Sequence, residues 1–309
     1  MIRKIAIYAF VLILLLYSLQ WFVNEGRRRN PKGVYEKYAT IFLKNNSYNT
    51  LVLGSSRAEM HFDVSLFDSL TGLHSFNAGV SGGTTRMAYV ILKSYLQHSK
   101  LPETVFLECD FHISHLKTDT IFNFPRYFPF LSNRVLYRGF KEIDPRFGQF
   151  KYNPFCSLPY SGIHGLSTAL RGWTGKSGSD DEAYKNGFYK NPVGHYDHYY
   201  TASYYGSIHP ENRHYLDSII VFCKDNHCRL IFTMSPVYKD ARKEMVNREY
   251  IITQYRNIAE RSHIPFFNYS TDSSICGHNT FFDDDYHMLY SGARLYTRKI
   301  ASDFNNIVP

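Results

Sequence analysis

Four short apolar runs, each leading into polar turn residues, constrain this chain more than any other feature. "NTLVLG" (49–54), "ETVFLECD" (103–110), "CRLIFTMSP" (228–236) and "IPFFNYS" (264–270) are nearly continuous in Val, Ile, Leu and Phe instead of alternating. A strand that is apolar on both faces has to be covered on both faces, which is the condition of a parallel sheet between two helical layers. The segments between them carry the helical period. "TTRMAYVILKSYLQHS" (84–99) sets Met87, Val90, Ile91 and Tyr95 on one face, and "HYLDSIIVFCKDN" (214–226) does the same with Leu216, Ile219, Ile220 and Cys223. "EYIITQYRNIAER" (249–261) reads as a further helix and "LYSGARLYTRKIASDF" (289–304) as the closing one. The pattern predicts an α/β fold, three-layer α/β/α around a parallel sheet, and argues against a sandwich or a bundle.

Residues of about 115–210 break this alternation. They are rich in Tyr, Phe, Pro, Gly and His, as in "FNFPRYFPF" and "GHYDHYYTASYYGSIHPEN", and have poor periodicity. They read as a long insertion over one edge of the sheet, and long insertions often serve as lids or binding loops. Its aromatic rings can stack on sugar faces, but for most of them packing in a small subsidiary core is the simpler role. No internal repeat is evident.

The N-terminus adds a second constraint. "IAIYAFVLILLLYSLQWFV" (5–23) is uncharged and almost wholly apolar; at about 1.5 Å per residue it spans a hydrocarbon core of roughly 30 Å. No small-residue cleavage site follows it, since the next residues are "NEGRRRNPKG", so it reads as an uncleaved anchor and not a signal peptide. The expected organisation is an anchor over 1–24, a basic linker over 25–48 with one helical stretch around 34–44, and an α/β domain over 49–309. Arg27, Arg28, Arg29 and Lys32 outnumber Arg3 and Lys4, which taken literally keeps the domain in the cytoplasm. Long domains translocate largely regardless of such charge, so charge alone leaves the orientation open. The formal net charge is +8, but no run of five basic residues exists. The "RRR" beside the anchor fits attraction to a lipid surface better than binding of nucleic acid.

Five cysteines in 309 residues are too few for a disulfide scaffold, and "CKDNHC" (223–228) lacks the second pair a zinc site needs. Cys223 and Cys228 read as small buried apolar residues. "HYDH" (195–198) has the residue types of a metal site without a third placed ligand, and no metal or organic cofactor is called for.

In a parallel sheet, ligands gather beyond the carboxyl ends of the strands. The first strand delivers Gly54-Ser55-Ser56-Arg57. "SFNAGVSGGTT" (75–85) supplies a glycine-rich turn before a helix, whose N–H groups can face an anion. The next strand delivers Asp110, with His112 two residues on, and "FFDDDYHMLYSGA" (281–293) delivers Asp283, Asp284, Asp285 and His287 before the last helix. A serine nucleophile needs a base, a group that orients the base, and N–H donors for the oxyanion. Each motif alone is common: "GSS" is an ordinary turn, and an acidic trio is often a solvated loop. Their order and their places at strand ends are what make the combination informative. An Asp three residues before a His can hold the imidazole by Nδ1; Asp283 or Asp285 could be the orienter, but only Asp284 has that spacing to His287.

Together these blocks resemble the SGNH (GDSL-type) hydrolase superfamily, from residue 49 to about 305. "LGSS" is similar to its first block, with Ser56 as the nucleophile. "NAGVSGGTT" is similar to its second, with Gly82 in the oxyanion position, and "DDYH" to its last, with Asp284 and His287. The resemblance implies an SGNH/flavodoxin-like three-layer domain with Ser56, His287 and Asp284 as a catalytic triad and the N–H groups of Ser56 and Gly82 in the oxyanion hole. The third block departs. Where the superfamily has Gly-x-Asn-Asp, this chain has "LECDFH", which places Asp110 near the Asn position. That departure resembles membrane-anchored SGNH-like proteins of polysaccharide O-acetylation and lipoteichoic-acid D-alanylation. The resemblance therefore implies a soluble domain outside the membrane and a serine acyl-ester hydrolase or O-acyltransferase acting on a cell-envelope glycan. It also leaves open a catalytically degenerate scaffold that binds acylated glycan or assists a membrane acyltransferase. Arg57 has two readings: a scaffold partner of Glu59 or Asp110, or a neutraliser of Asp110 that helps bind a negative group. His61 and His112 read as structural neighbours of the site.

Overall fold

The computed structural model describes residues 1–110, 114–192, 194, 196 and 203–307, with the backbone alone for Ser179 and Asp180. In chain order the elements are α1 (Ile2–Arg28), α2 (Gly33–Phe42), β1 (Thr50–Leu53), α3 (Ser56–His61), α4 (Val64–Thr71), β2 (Ser75–Asn77), α5 (Thr85–Tyr95) and β3 (Thr104–Glu108). They continue as α6 (Arg134–Ile143), α7 (Pro154–Thr174), β4 (Tyr184–Lys185), β5 (Phe188–Tyr189), α8 (Pro210–Asp225), β6 (Arg229–Met234), α9 (Arg248–Arg261), β7 (Phe266–Asn268) and α10 (Tyr290–Ile307). Short helical turns lie between some of these. The chain forms two compact units, one of Met1–Lys44 with Asp119–Glu182, the other of Asn45–Thr118 with Ala183–Pro309.

The second unit holds a five-stranded, wholly parallel sheet in the order β2-β1-β3-β6-β7. Leu51 lies between Phe76 and Val105, and Phe106 pairs with Ile231, so the central register is apolar on both sides. Every residue of β1 and β3 is buried, as the continuous apolar runs require. Helices α5 and α8 pack together, and α10 packs on α3 and α4. Under α10 the rings of Phe62, Phe67, Phe106 and Phe304 meet at 5.1–5.8 Å, four of the five contacts edge-to-face, the arrangement ring quadrupoles favour. The strand β2 was too short to show in the sequence, and α8 begins earlier than the period suggested because Pro210 occupies its first turn.

Part of the aromatic-rich segment belongs to this unit. The hairpin β4–β5 turns on Asn186 and Gly187, both with positive φ (49° and 79°), the geometry that favours Asn-Gly. It docks on the edge of the sheet through Asn77 N–H, which donates to Asn186 O at 2.9 Å. A Cβ on Gly187 would stand 2.0 Å from Asn77 O.

Residues 119–182 lie instead in the first unit. Residues 25–48, read as a linker, contain the last turn of α1 and all of α2. The aromatics of this unit form their own core. Tyr38 stacks on Tyr127 at 4.7 Å, Tyr127 meets Phe140 at 4.8 Å, and Phe130, Phe140 and Phe147 are fully buried. Helix α1 is long and apolar enough to cross a membrane.

Two glycines with similar backbone angles separate strain from contact. Gly72, which ends α4 at φ 72°, has open space where a side chain would go, so Gly72→Ala should cost about 1 kcal/mol of backbone strain. Gly187→Ala carries the same strain plus the clash with β2 and should cost at least ~2 kcal/mol. Urea unfolding of the full chain in detergent should show the larger loss for Gly187→Ala.

Candidate active site

Strand β1 stops at Gly54 because the chain must turn there against its neighbours. Its φ is 145°, and a Cβ would meet Glu108 Cβ at 2.7 Å and Ala58 Cβ at 2.9 Å. Ser55 then caps α3. Its Oγ accepts Arg57 N–H at 3.2 Å and donates to Asp110 Oδ2 at 2.6 Å. Of the two hydroxyls in "GSS", Ser55 therefore performs the turn chemistry. Ser56, the first residue of α3, points elsewhere: its Oγ lies 2.8 Å from His287 Nε2.

The loop before α10 presents His287. Asp284 Oδ2 is 2.7 Å from His287 Nδ1, and Asp284 Oδ1 accepts the backbone N–H groups of Tyr286 and His287, each at 2.8 Å. One carboxylate thus holds both the ring and the loop that carries it. With Nδ1–H donating to Asp284, Nε2 is left as the acceptor facing Ser56 Oγ–H. The flanking acids have other partners. Asp283 Oδ2 accepts from Asn191 Nδ2 at 3.3 Å, while Asp285 is fully buried and accepts from Tyr196 Oη. Burial, together with the Asp285 carboxylate, raises the Tyr196 hydroxyl well above its ordinary pKa.

The glycine-rich turn after β2 is pinned to α3. Asn77 Nδ2 donates to Ala58 O (2.7 Å) and Phe62 O (3.0 Å), and Asn77 Oδ1 accepts Gly79 N–H at 3.0 Å. Val80 N–H reaches Gly54 O at 3.0 Å, and Ser81 Oγ donates to Glu59 Oε2 at 2.6 Å. Gly82 has φ 70°. Among the described residues, the N–H groups of Ser56 and Gly82 make no hydrogen bond.

Arg57 is buried to 1% exposure. Its Nη2 donates to Ser235 O (2.6 Å), its Nε to Ser235 Oγ (3.1 Å) and its Nη1 to Asp110 Oδ1 (3.4 Å). Of the two acids weighed from sequence, Asp110 is thus a partner, and Glu59 holds Ser81 and Tyr184. Two further members escaped the sequence reading, Glu108 and Ser235. Glu108 accepts from Thr233 Oγ1, Ser235 N–H, Ser235 Oγ and Tyr296 Oη. Burial pushes its carboxyl up, and Arg57 pulls it back. His61 Nδ1 lies 2.9 Å from Ser235 Oγ, and its Nε2 accepts Met288 N–H at 2.9 Å. The available signals were a glutamate inside an apolar strand and a serine directly after one. His112 and the "HYDH" residues His195, Asp197 and His198 lie outside the described residues.

No protein-family model and no curated protein matches the chain. Among solved structures it is similar to the lipase/acylhydrolase from Enterococcus faecalis, at 11% identity and TM-score 0.40, over 84% of this chain and 96% of that one. It is also similar to a GDSL-like lipase from Bacteroides thetaiotaomicron, at 12% identity and TM-score 0.41, over 92% of this chain and 99% of that one.

His61 makes the site's support sensitive to acid. Burial, then the charges of Arg57 and His287, hold its pKa well below the ordinary value. The unfolded chain takes up this proton near pH 6.5, whereas the folded chain refuses it until lower pH. Unfolding therefore binds a proton, and the contribution of His61 to stability, present above about pH 6.5, is lost as pH falls below it. In denaturant titrations between pH 7.5 and 5, His61→Gln, which keeps an acceptor for Met288 N–H, should show a shallower loss of stability than the parent chain.

Proposed function

We propose that this chain is a membrane-anchored SGNH-type serine enzyme, an acyl-ester hydrolase or O-acyltransferase acting on a cell-envelope glycan. The observation that carries the reading is the relay of two short contacts, Ser56 Oγ to His287 Nε2 at 2.8 Å and His287 Nδ1 to Asp284 Oδ2 at 2.7 Å. Support also comes from the strand-end positions of these residues and from the uncommitted N–H groups of Ser56 and Gly82.

Ser56 Oγ attacks the ester carbonyl carbon while His287 Nε2 takes its proton. Asp284 keeps the imidazole oriented and stabilises the charge it acquires. The N–H groups of Ser56 and Gly82 receive the oxyanion of the tetrahedral intermediate. Collapse breaks the bond to the alcohol, which leaves with the proton from His287, and an acyl group remains on Ser56. Water or a sugar hydroxyl, deprotonated by His287, then takes the acyl group. With a sugar hydroxyl the reaction is transfer, and a membrane acyltransferase that supplies the acyl group is the partner this implies. The anchor reading rests on α1, and the reading places the sheet-bearing unit outside the membrane, where envelope glycans lie. Asp110, turned toward Ser55 and Arg57, takes no part as an oxyanion donor.

Purified full-length protein in detergent, assayed with p-nitrophenyl acetate and a fluorophosphonate probe, tests the chemistry. Ser56→Ala should abolish probe labelling and lower turnover by at least ~10³-fold. Asp284→Asn, which holds the wrong tautomer, should lower kcat by ~10²–10⁴-fold. A parent chain that neither turns over the ester nor takes the probe would leave the non-catalytic scaffold as the reading.

A further inference from the structure

From Tyr152 to Leu170 the chain has no Asp, Glu, Lys or Arg over 19 residues, and His164 is its only histidine. Most of this stretch is α7 (Pro154–Thr174), and much of it faces outward. Phe155, Tyr160, Ile163 and Leu170 are 58%, 50%, 82% and 49% exposed. A helix face turned to water normally carries charges; this one carries apolar and aromatic side chains. Gly162 breaks the helix at φ 54°, ψ −167°, a conformation that glycine alone adopts readily, and the kink presents Ile163.

The opposite face of α7 packs on α1 within the same unit, in the manner of helices in lipid. It offers small residues at near-regular spacing, Ser157, Ser161, Gly165, Ala169 and Gly172, all buried. The approach is close: a Cβ on Gly26 of α1 would stand 2.5 Å from Ala169 O. Polar groups of the apolar helix pair across this contact. Gln20 Nε2 donates to Ser157 Oγ (2.8 Å) and Phe150 O (3.2 Å), and Tyr17 Oη to Tyr152 O (2.8 Å). Small-residue stripes and interhelical side-chain hydrogen bonds are how helices associate where lipid replaces water.

We infer that residues 152–170 are themselves seated in the lipid interface beside α1, as a second membrane-bound segment. This rests on the reading of α1 as a membrane span. If residues 5–23 cross the hydrocarbon, Gln20 and Tyr17 lie about 5 and 9 Å short of its end at ~1.5 Å per residue. The first half of α7 is level with them, at the depth interfacial helices reach. Arg146 and Lys151 precede the uncharged stretch, and Arg171 and Lys176 follow it, with no acidic residue between 145 and 179. Such flanks suit anionic headgroups. Both tryptophans of the chain, Trp21 and Trp173, meet at the same contact with ring centroids 5.9 Å apart, in keeping with an aromatic belt.

Depth-dependent quenching tests this in the full chain. With Cys156→Ser as background, Ile163→Cys is labelled with bimane and reconstituted into vesicles of phosphatidylcholine and phosphatidylglycerol, with or without brominated acyl chains. Tyr160→Cys serves as a second probe of the same face, Leu12→Cys as the probe of α1, and Lys224→Cys as the aqueous control. Brominated lipid should quench positions 163 and 160 at least twofold, as it quenches position 12, and leave 224 unchanged. Quenching at 12 alone would overturn the inference while leaving the anchor in place. Quenching at none of them would remove the anchor and the inference with it. Protection of 163 and 160 that is lost on diluting the protein in lipid would assign this face to a second copy of the chain, also against the inference.

Discussion

Arg57 sets the terms for the site. A guanidinium with 1% of its surface exposed is tolerable only if acceptors surround it, and the fold supplies them from strands far apart in sequence. Ser235 offers its carbonyl and hydroxyl from the end of β6, and Asp110 its carboxyl from the end of β3. Ser235 is in turn gripped by Glu108 and touches His61, and His61 accepts the N–H of Met288, the residue after His287. The position of the imidazole opposite Ser56 thus follows from a chain of polar contacts that begins at a buried charge. Removing one member of such a network leaves its partners buried and unpaired, which costs more than the contact itself is worth.

This network also gives "LECD" at the end of β3 a role. Asp110 accepts a hydrogen bond from Ser55 and another from Arg57. It fastens the turn after β1 to the end of β3, so that α3 starts in a fixed direction and Ser56 faces the imidazole. Asn77 does the same from the other side, reaching two carbonyls of the α3 region with one amide.

The parallel sheet was legible because β1, β3 and nearly all of β6 are buried on both faces, so their apolar runs could not be mistaken for half-exposed ones. The helices over residues 84–99, 214–226, 249–261 and 289–304 were legible from their period, with ends displaced by a few residues where Pro210 or a capping residue decided the boundary. Asp284 could be paired with His287 because a three-residue offset is a local fact, whereas Ser56 could be named over Ser55 only through the resemblance carried by "LGSS", "NAGVSGGTT" and "DDYH" together. The Glu108–Ser235–His61 chain could not, because its members are 127 and 174 positions apart and each looks ordinary in its own segment. The division of the aromatic-rich segment at residue 182 was invisible for a similar reason. Both halves are rich in Tyr and Phe, and only the partners they find distinguish them.

That division has a bearing on how the molecule is made. The first unit is assembled from residues 1–44 and 119–182, so the ribosome has finished the opening helix long before the residues that satisfy Gln20 and Tyr17 exist. The nascent helix must wait, with its polar side chains provisionally solvated, for more than a hundred further residues. For the same reason the leading helix is not a detachable tether. Trimming it would uncover the seam of Ser157, Ser161, Gly165 and Ala169 and take from Trp173 its ring contacts with Trp21 and Phe22.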